Sequence, residues 1–221
     1  MITVHHLENS RSQRVLWMLE ELGLDYEVKL YKREPTMQAP ESLRAVHPLG
    51  KSPVITDGER TLAESGAILE YLVDTYGNGR FKPAAGTAER IDYSYFLHYA
   101  EGSLMPLLLM KLIFSRIPSR LPFFMRPVGR AISAGANKTL LDPQIGTHFM
   151  FLEGTLARRD WFAGPEFSAA DIQMSFPIEA ASARAPIVRQ MPKLSAFLAR
   201  IHARPAYKRA LERGGPYELM K

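Results

Sequence analysis

Three short segments carry side chains whose types and spacing suit them to chemistry. The first, Asn9-Ser10-Arg11-Ser12-Gln13-Arg14, sits where a strand pattern gives way to a helical one. A helix start leaves backbone N–H groups unpaired and presents a positive dipole end, and both suit an anion. Ser10 or Ser12 can equally serve as a plain helix cap. The second segment, His47-Pro48-Leu49-Gly50-Lys51-Ser52-Pro53-Val54-Ile55, puts a proline at the mouth of a strand. Proline cannot donate to a ladder, so interior strands avoid it. A cis Ser52–Pro53 bond would turn the chain and offer the Val54 backbone to a ligand; a trans proline on an edge strand is the alternative. Lys51 is either an ordinary surface lysine or a carboxylate anchor. In the third, Leu62-Ala63-Glu64-Ser65-Gly66-Ala67-Ile68, Glu64 and Ser65 stand at another strand-to-helix junction. They can cap the helix, or together hold an amino-acid head group: Glu64 the ammonium, Ser65 and its N–H the carboxylate.

Composition removes other chemistries. The 221 residues include no cysteine, so disulfides, thiolate metal sites and any protein-thiol mechanism are absent. The six histidines show no metal-ligand spacing, and there is no phosphate-binding glycine loop. No metal or cofactor is expected. The start, MITVHHLENS, lacks a basic and apolar leader, and the apolar stretch from Leu104 to Phe114 is broken by Pro106 and Lys111. A cytoplasmic protein without a membrane span is the expectation. Net charge is uneven: residues 1–77 hold 8 Lys+Arg against 12 Asp+Glu, a net −4, and residues 78–221 hold 20 against 11, a net +9. The cations are dispersed along helical patterns, so no nucleic-acid partner is expected. Apolar, arginine-dotted Arg116 to Arg130 could touch a membrane, but Pro118, Pro122 and Pro127 speak against an amphipathic helix, so no membrane partner is expected.

The elements that must position these residues fall into two groups. Ile2 to His6 reads as a strand, and Arg11 to Leu22 as a helix ended by Gly23. Asp25 to Tyr31 reads as a strand with Tyr26, Val28 and Leu30 on one side. After a proline-containing link, Pro53 to Thr56 and Arg60 to Ala63 flank Asp57-Gly58, a hairpin signal. Ser65 to Tyr76 is a helix with Ile68, Leu69, Leu72 and Tyr76 inward. This order predicts a thioredoxin-like domain with a mixed four-stranded sheet over residues 1–79. Residues 80–86 form a linker, and residues 87–221 an all-helical domain. Helical patterns there run from Thr87 to Ile117, Leu140 to Arg159, Ser168 to Arg184, Pro192 to Ala203 and Pro205 to Arg213. Ser168 and Asp171 form a capping box, with Phe167 and Ile172 as its hydrophobic staple.

SRSQRVLWMLEELG, HPLGKSPVI and LAESGAILEYL, in this order, resemble the glutathione-binding half of cytosolic glutathione transferases, and DWFAGPEFSAADI resembles the signature of their helical half. The likeness covers nearly the whole chain. It implies the serine type: Ser10, four residues before Arg14, would donate to the glutathione sulfur, with Ser12 its rival. His5, His6 and Leu7 occupy the place of the tyrosine in tyrosine-type members. By the same resemblance Lys51 would bind the glycine carboxylate, Pro53 would be cis, Val54 would pair with the cysteinyl backbone, and Glu64 and Ser65 would hold the γ-glutamyl end. His47 stands where the family often has asparagine. A detoxifying homodimer is implied, with glutathione as cosubstrate and a hydrophobic electrophile as second substrate. That substrate would lie against the helical half, where Tyr95, Tyr99, Met105, Leu108 and Phe114 recur on one long helix and Phe123-Phe124-Met125 follow. Peroxidase or isomerase chemistry and a non-catalytic ligand-binding protein are the alternatives on the same fold.

Overall fold

The computed structural model describes residues 1–36, 38–184, 190–215 and 217. Strand β1 (Ile2–Leu7) leads through helix α1 (Gln13–Leu22) to β2 (Tyr26–Tyr31). A short helix α2 (Glu41–Arg44) precedes the hairpin β3 (Val54–Asp57) and β4 (Arg60–Ala63), and α3 (Ser65–Tyr76) closes the unit. The sheet order is β2-β1-β3-β4. β1 and β2 run parallel, with Ile2 opposite Tyr26, while β1–β3 and β3–β4 are antiparallel. One crossover helix and one tight turn dictate that mixture, since parallel neighbours need a long connection and antiparallel ones do not. Gly58, at φ +58°, supplies the left-handed turn residue that the hairpin requires.

The sheet is covered on both faces. Val4 and Ile55 pack with Val15, Leu19, Ile68 and Leu72 of α1 and α3, while Leu7 and Tyr31 pack with Ala39 and Leu43 around α2. β2 departs from the expected alternation: Tyr26 is buried, but Leu30 is 64% exposed. β2 is an edge strand, and its covering helix reaches only its beginning, where the Arg213 guanidinium lies 4.0 Å over the Tyr26 ring.

Apart from an isolated bridge between Trp161 and Gly164, the regular elements among the described residues of the second half are all helical. α4 (Ala88–Tyr99) passes through a π-helical turn (Ala100–Leu104) into α5 (Met105–Arg120). A 3₁₀ turn (Phe123–Met125) connects to α6 (Arg126–Ala136), which runs through a second π turn (Asn137–Leu141) into α7 (Asp142–Leu156). α8 (Ala169–Arg184), α9 (Pro192–Ala203) and α10 (Pro205–Gly214) complete the chain. α8 is the axis of the molecule: every residue from Ala169 to Ala181 is buried, and the helix packs against α1, α3, α4 and α9.

Two prolines sit inside helices, Pro118 where the sequence pattern expects a break and Pro177 within a helix that the pattern already carries through, and both are accommodated by one device. A helical proline removes the N–H that would bond the carbonyl four residues earlier. Pro118 thereby frees the Phe114 carbonyl, and Ser133 of α6 donates its hydroxyl to it at 2.8 Å. α5 therefore continues to Arg120 instead of ending before Pro118, and the break falls at Leu121–Pro122. Pro177 of α8 frees the Gln173 carbonyl, with consequences for the site.

Candidate functional site

Asn9 adopts a positive φ of 50° in the tight turn after β1. Two backbone bonds spanning three residues, Gln13 N–H to Ser10 and Arg14 N–H to Arg11, then wind the chain into α1. The helix begins at Gln13, two residues later than its sequence pattern suggests, so Ser12 stands at the cap position rather than inside the first turn. Its hydroxyl caps nothing. Instead the Ser12 Oγ lies 2.7 Å from Ser10 Oγ and 2.7 Å from His6 Nδ1. Ser52 joins the cluster, its Oγ 3.1 Å from Ser10 Oγ, while it accepts the Leu7 N–H at 3.4 Å. Ser12 is fully enclosed, whereas Ser10, between Ser12 and the half-buried Ser52, keeps 6% of its surface.

The Ser52–Pro53 peptide bond is cis, and Val54 follows as the first residue of β3, opposite His5 and Ala63. Lys51 is exposed just before it. At the start of α3, Glu64 holds φ 71° and ψ 118°, a conformation that side-chain-bearing residues seldom adopt. Its carboxylate makes no cap and is exposed to solvent. Ser65 is buried, and its Oγ accepts from Arg14 at 3.0 Å and from the Gln173 amide at 3.2 Å. Both lone pairs are thereby filled, and the Ser65 hydrogen remains to be donated to an arriving carboxylate. The segments far apart in sequence thus meet: the serine row, the cis proline turn, and the α3 start border the N-terminus of α1.

Arg14 ties this border to the helical half. It is 1% exposed and donates to the Gln173 carbonyl at 2.8 Å, the carbonyl that Pro177 leaves without its helical partner. It also donates to Ser65, and to Glu101 at 2.6 Å. Glu101 lies on the π turn between α4 and α5, where the extra residue pushes the backbone outward, and it also receives Arg11 at 3.0 Å. Burial raises the Glu101 pKa, but the guanidinium groups of Arg14 and Arg11 outweigh it and hold the carboxyl below its ordinary value. Sequence reasoning treats Arg14 only as a marker and does not find His6, Ser52, Glu101 or Gln173. A proline inside a helical pattern was the available signal, because it announces a carbonyl in search of a donor.

The apolar side of the site is narrower than the sequence suggests. Met105 and Leu108 pack with Phe176 and with Tyr217, beneath Arg11 and Arg14, whose guanidinium carbons lie 5.4 and 5.1 Å from the Phe176 ring. Tyr95 and Tyr99 instead stack together at 5.6 Å on the opposite side of α4, against Phe151 of α7. Phe123 and Phe124 stand exposed at the tip of the α5–α6 hairpin. Beyond Phe176, the buried Glu179 accepts hydrogen bonds from the Tyr207 hydroxyl at 2.6 Å and the Tyr217 hydroxyl at 3.1 Å. These bonds hold Tyr207 and Tyr217 against α8.

The capping box is present in modified form. Asp171 accepts from the Ser168 N–H at 2.8 Å and from its hydroxyl at 3.0 Å, and its other oxygen takes the Phe162 N–H at 2.8 Å. Phe167 packs against Trp17, Phe81 and Trp161. Complete burial raises the Asp171 pKa to about 6 against the pull of those donors.

Residues 1–74 match the family model for the glutathione S-transferase N-terminal domain, and residues 116–205 match that for the C-terminal domain. The chain is 37% identical to glutathione S-transferase 3 of Schizosaccharomyces pombe, over 96% of its own length and 88% of the relative's. The chain belongs to the glutathione S-transferase family. To glutathione S-transferase 1 of Saccharomyces cerevisiae it is 33% identical, over 96% and 95% of the two chains. A crystal structure of a glutathione S-transferase from Actinobacillus pleuropneumoniae superposes with a TM-score of 0.81 at 35% identity, covering 100% of this chain and 96% of that one. The thioredoxin-like half and the helical half are those of this transferase fold. Among the described residues no helix is long and apolar enough to cross a membrane.

Proposed function

We propose that this glutathione transferase binds glutathione along the border described above and activates its thiol with Ser10. Lys51 takes the glycine carboxylate, Val54 pairs with the cysteinyl backbone beside cis Pro53, and Glu64 and Ser65 hold the γ-glutamyl end. The observation that carries the reading is the position of Ser10: of the two candidate hydroxyls it belongs to the residue that keeps exposed surface, while Ser12 is fully enclosed between Ser10 and His6.

The energetics suffice. A thiol of pKa about 8.5 is roughly 3% ionised at pH 7, and lowering it to about 6.5 gives roughly 75%, at a cost of about 2.7 kcal/mol. A hydrogen bond to a charged group contributes about 1.5–3 kcal/mol, and a helix N-terminus about 0.3–1 kcal/mol. One serine at the start of α1 supplies that sum. The thiolate then attacks a hydrophobic electrophile held against Met105, Leu108 and Phe176, so the nucleophile is the cosubstrate's sulfur. The protein acts in the cytoplasm as a homodimer, without a bound metal or cofactor.

Calorimetry tests the reading: glutathione binds, S-methylglutathione competes, and Ser10→Ala raises the pKa of the bound thiol by about 1–2 units with a smaller change in affinity. Absence of binding at millimolar glutathione would overturn it.

A further inference from the structure

His6 is buried on β1, and nothing in the chemistry above uses it. Its Nδ1, the Ser12 Oγ and the Ser10 Oγ form a row with two contacts of 2.7 Å, short enough that each must hold one hydrogen. The hydrogens can be counted. Each serine brings one, and a neutral imidazole brings one, on either Nδ1 or Nε2. The ring is neutral near pH 7, because burial lowers its pKa to about 4 despite an opposing hydrogen bond to the Gly214 backbone.

Two arrangements satisfy the row. With the ring hydrogen on Nε2, Ser12 donates to Nδ1, so Ser10 must donate to Ser12 and has nothing left for a ligand. With the hydrogen on Nδ1, His6 donates to Ser12 and Ser12 donates to Ser10. The Ser10 oxygen then accepts twice, from the Ser12 hydroxyl and from the Ser12 N–H at 3.3 Å. Its own hydrogen is then free for a ligand or, without one, for Ser52 Oγ at 3.1 Å, whose own hydrogen goes to the His5 carbonyl at 3.3 Å; the chain behind polarises it. A sulfur anion needs the second arrangement, because an anion only accepts.

We propose that His6, in its Nδ1–H form, is a positioning residue that turns the Ser10 hydroxyl toward the glutathione sulfur by way of Ser12. The inference rests on the reading of Ser10 as the thiolate donor. It also makes Ser12 a participant, although Ser12 touches no substrate.

Two measurements test it. The first is the pKa of bound glutathione, from ultraviolet thiolate absorbance against pH. Ser12→Ala and His6→Leu each raise it by about 1 unit, from about 6.5 to about 7.5, roughly threefold less thiolate at pH 7. His6→Asn, which keeps an N–H near the place of Nδ1, stays close to the wild type. If Ser10→Ala shifts the titration but Ser12→Ala and His6→Leu do not, the role of His6 is wrong and the reading of Ser10 stands. If Ser10→Ala has no effect, both fall. The second measurement needs no variant: the ¹⁵N shifts of His6 in the wild-type glutathione complex at neutral pH report Nδ1–H, and an Nε2–H ring there overturns the proposal.

Discussion

A guanidinium with 1% of its surface exposed must find an acceptor for its hydrogens within the protein, and Arg14 finds the Gln173 carbonyl, Ser65 and Glu101. Arg14→Met should leave the Gln173 carbonyl unpaired and Ser65 loose. The cost is about 1–3 kcal/mol, a fall of roughly 2–12 °C in Tm, read by thermal denaturation, with weaker glutathione binding in the same variant. Two buried titratable groups act on stability with opposite signs. His6 has its pKa lowered from 6.5 to about 4, so the unfolded chain binds more protons between those values. Its contribution is present above pH 6.5 and lost as pH falls to 4, up to about 3 kcal/mol. Asp171 has its pKa raised from 3.8 to about 6, so its contribution is present below pH 3.8 and lost as pH rises to 6. The two nearly offset in the wild type. In His6→Asn, stability measured by denaturant titration should therefore fall from pH 4 to 6; a rise there would show that the Asp171 shift is wrong. Ser10, Lys51, Pro53, Glu64 and Ser65 stand out in the sequence as candidates because each sits at a strand or helix junction with a motif around it. His6 and Glu101 do not, because their partners are defined only by the folded chain.

At the scale of elements, the ends of helices were read to within a few residues and the interiors less well. Pro118 looks like a break in a one-dimensional pattern, whereas the pattern runs through Pro177; at both, Ser133 and Arg14 supply the missing donors from other helices. No local rule contains that information. The junction of α10 with α1 is another contact invisible in sequence, and it is tight. A Cβ on Gly214 would lie 2.5 Å from Gln13 Oε1, 2.8 Å from Leu16 Cδ1 and 3.3 Å from His6 Cε1. Gly214→Ala should destabilise by about 1–3 kcal/mol through overpacking. It should also disturb thiol ionisation, since the displaced neighbours include His6. A variant with wild-type Tm and an unshifted thiol titration would show that α10 can move away freely.

For the whole molecule, the charge division of −4 and +9 suggests a dimer held across unlike halves, which salt would weaken. The structure adds an apolar alternative. Ile91 and Tyr95 of α4 and Met150 and Phe151 of α7 are exposed by 73, 48, 63 and 42%, and Tyr95 and Phe151 adjoin at 6.2 Å. Such a patch favours a buried contact over a screened one. Sedimentation should therefore give twice the 24.9 kDa chain mass at both low and high salt. Phe151→Glu should shift the protein toward monomer, and a dimer that dissociates in salt with Phe151→Glu unaffected would restore the electrostatic interface.

The lock of α10 over α1 also sets an order in time. His6, Ser10 and Ser12 leave the ribosome early, whereas Gly214 follows His6 by more than two hundred residues. At about 5–20 residues per second, the interval is roughly 10–40 s. Throughout it α1 lacks the partner that also supplies Arg209 to Glu20 at 2.7 Å and Arg213 to the Tyr26 carbonyl at 2.8 Å. The nascent thioredoxin-like half is thus made first and finished last. A chain stalled before α10 should display α1 to chaperones, and competence to ionise glutathione should appear at once when α10 emerges rather than accumulate with length.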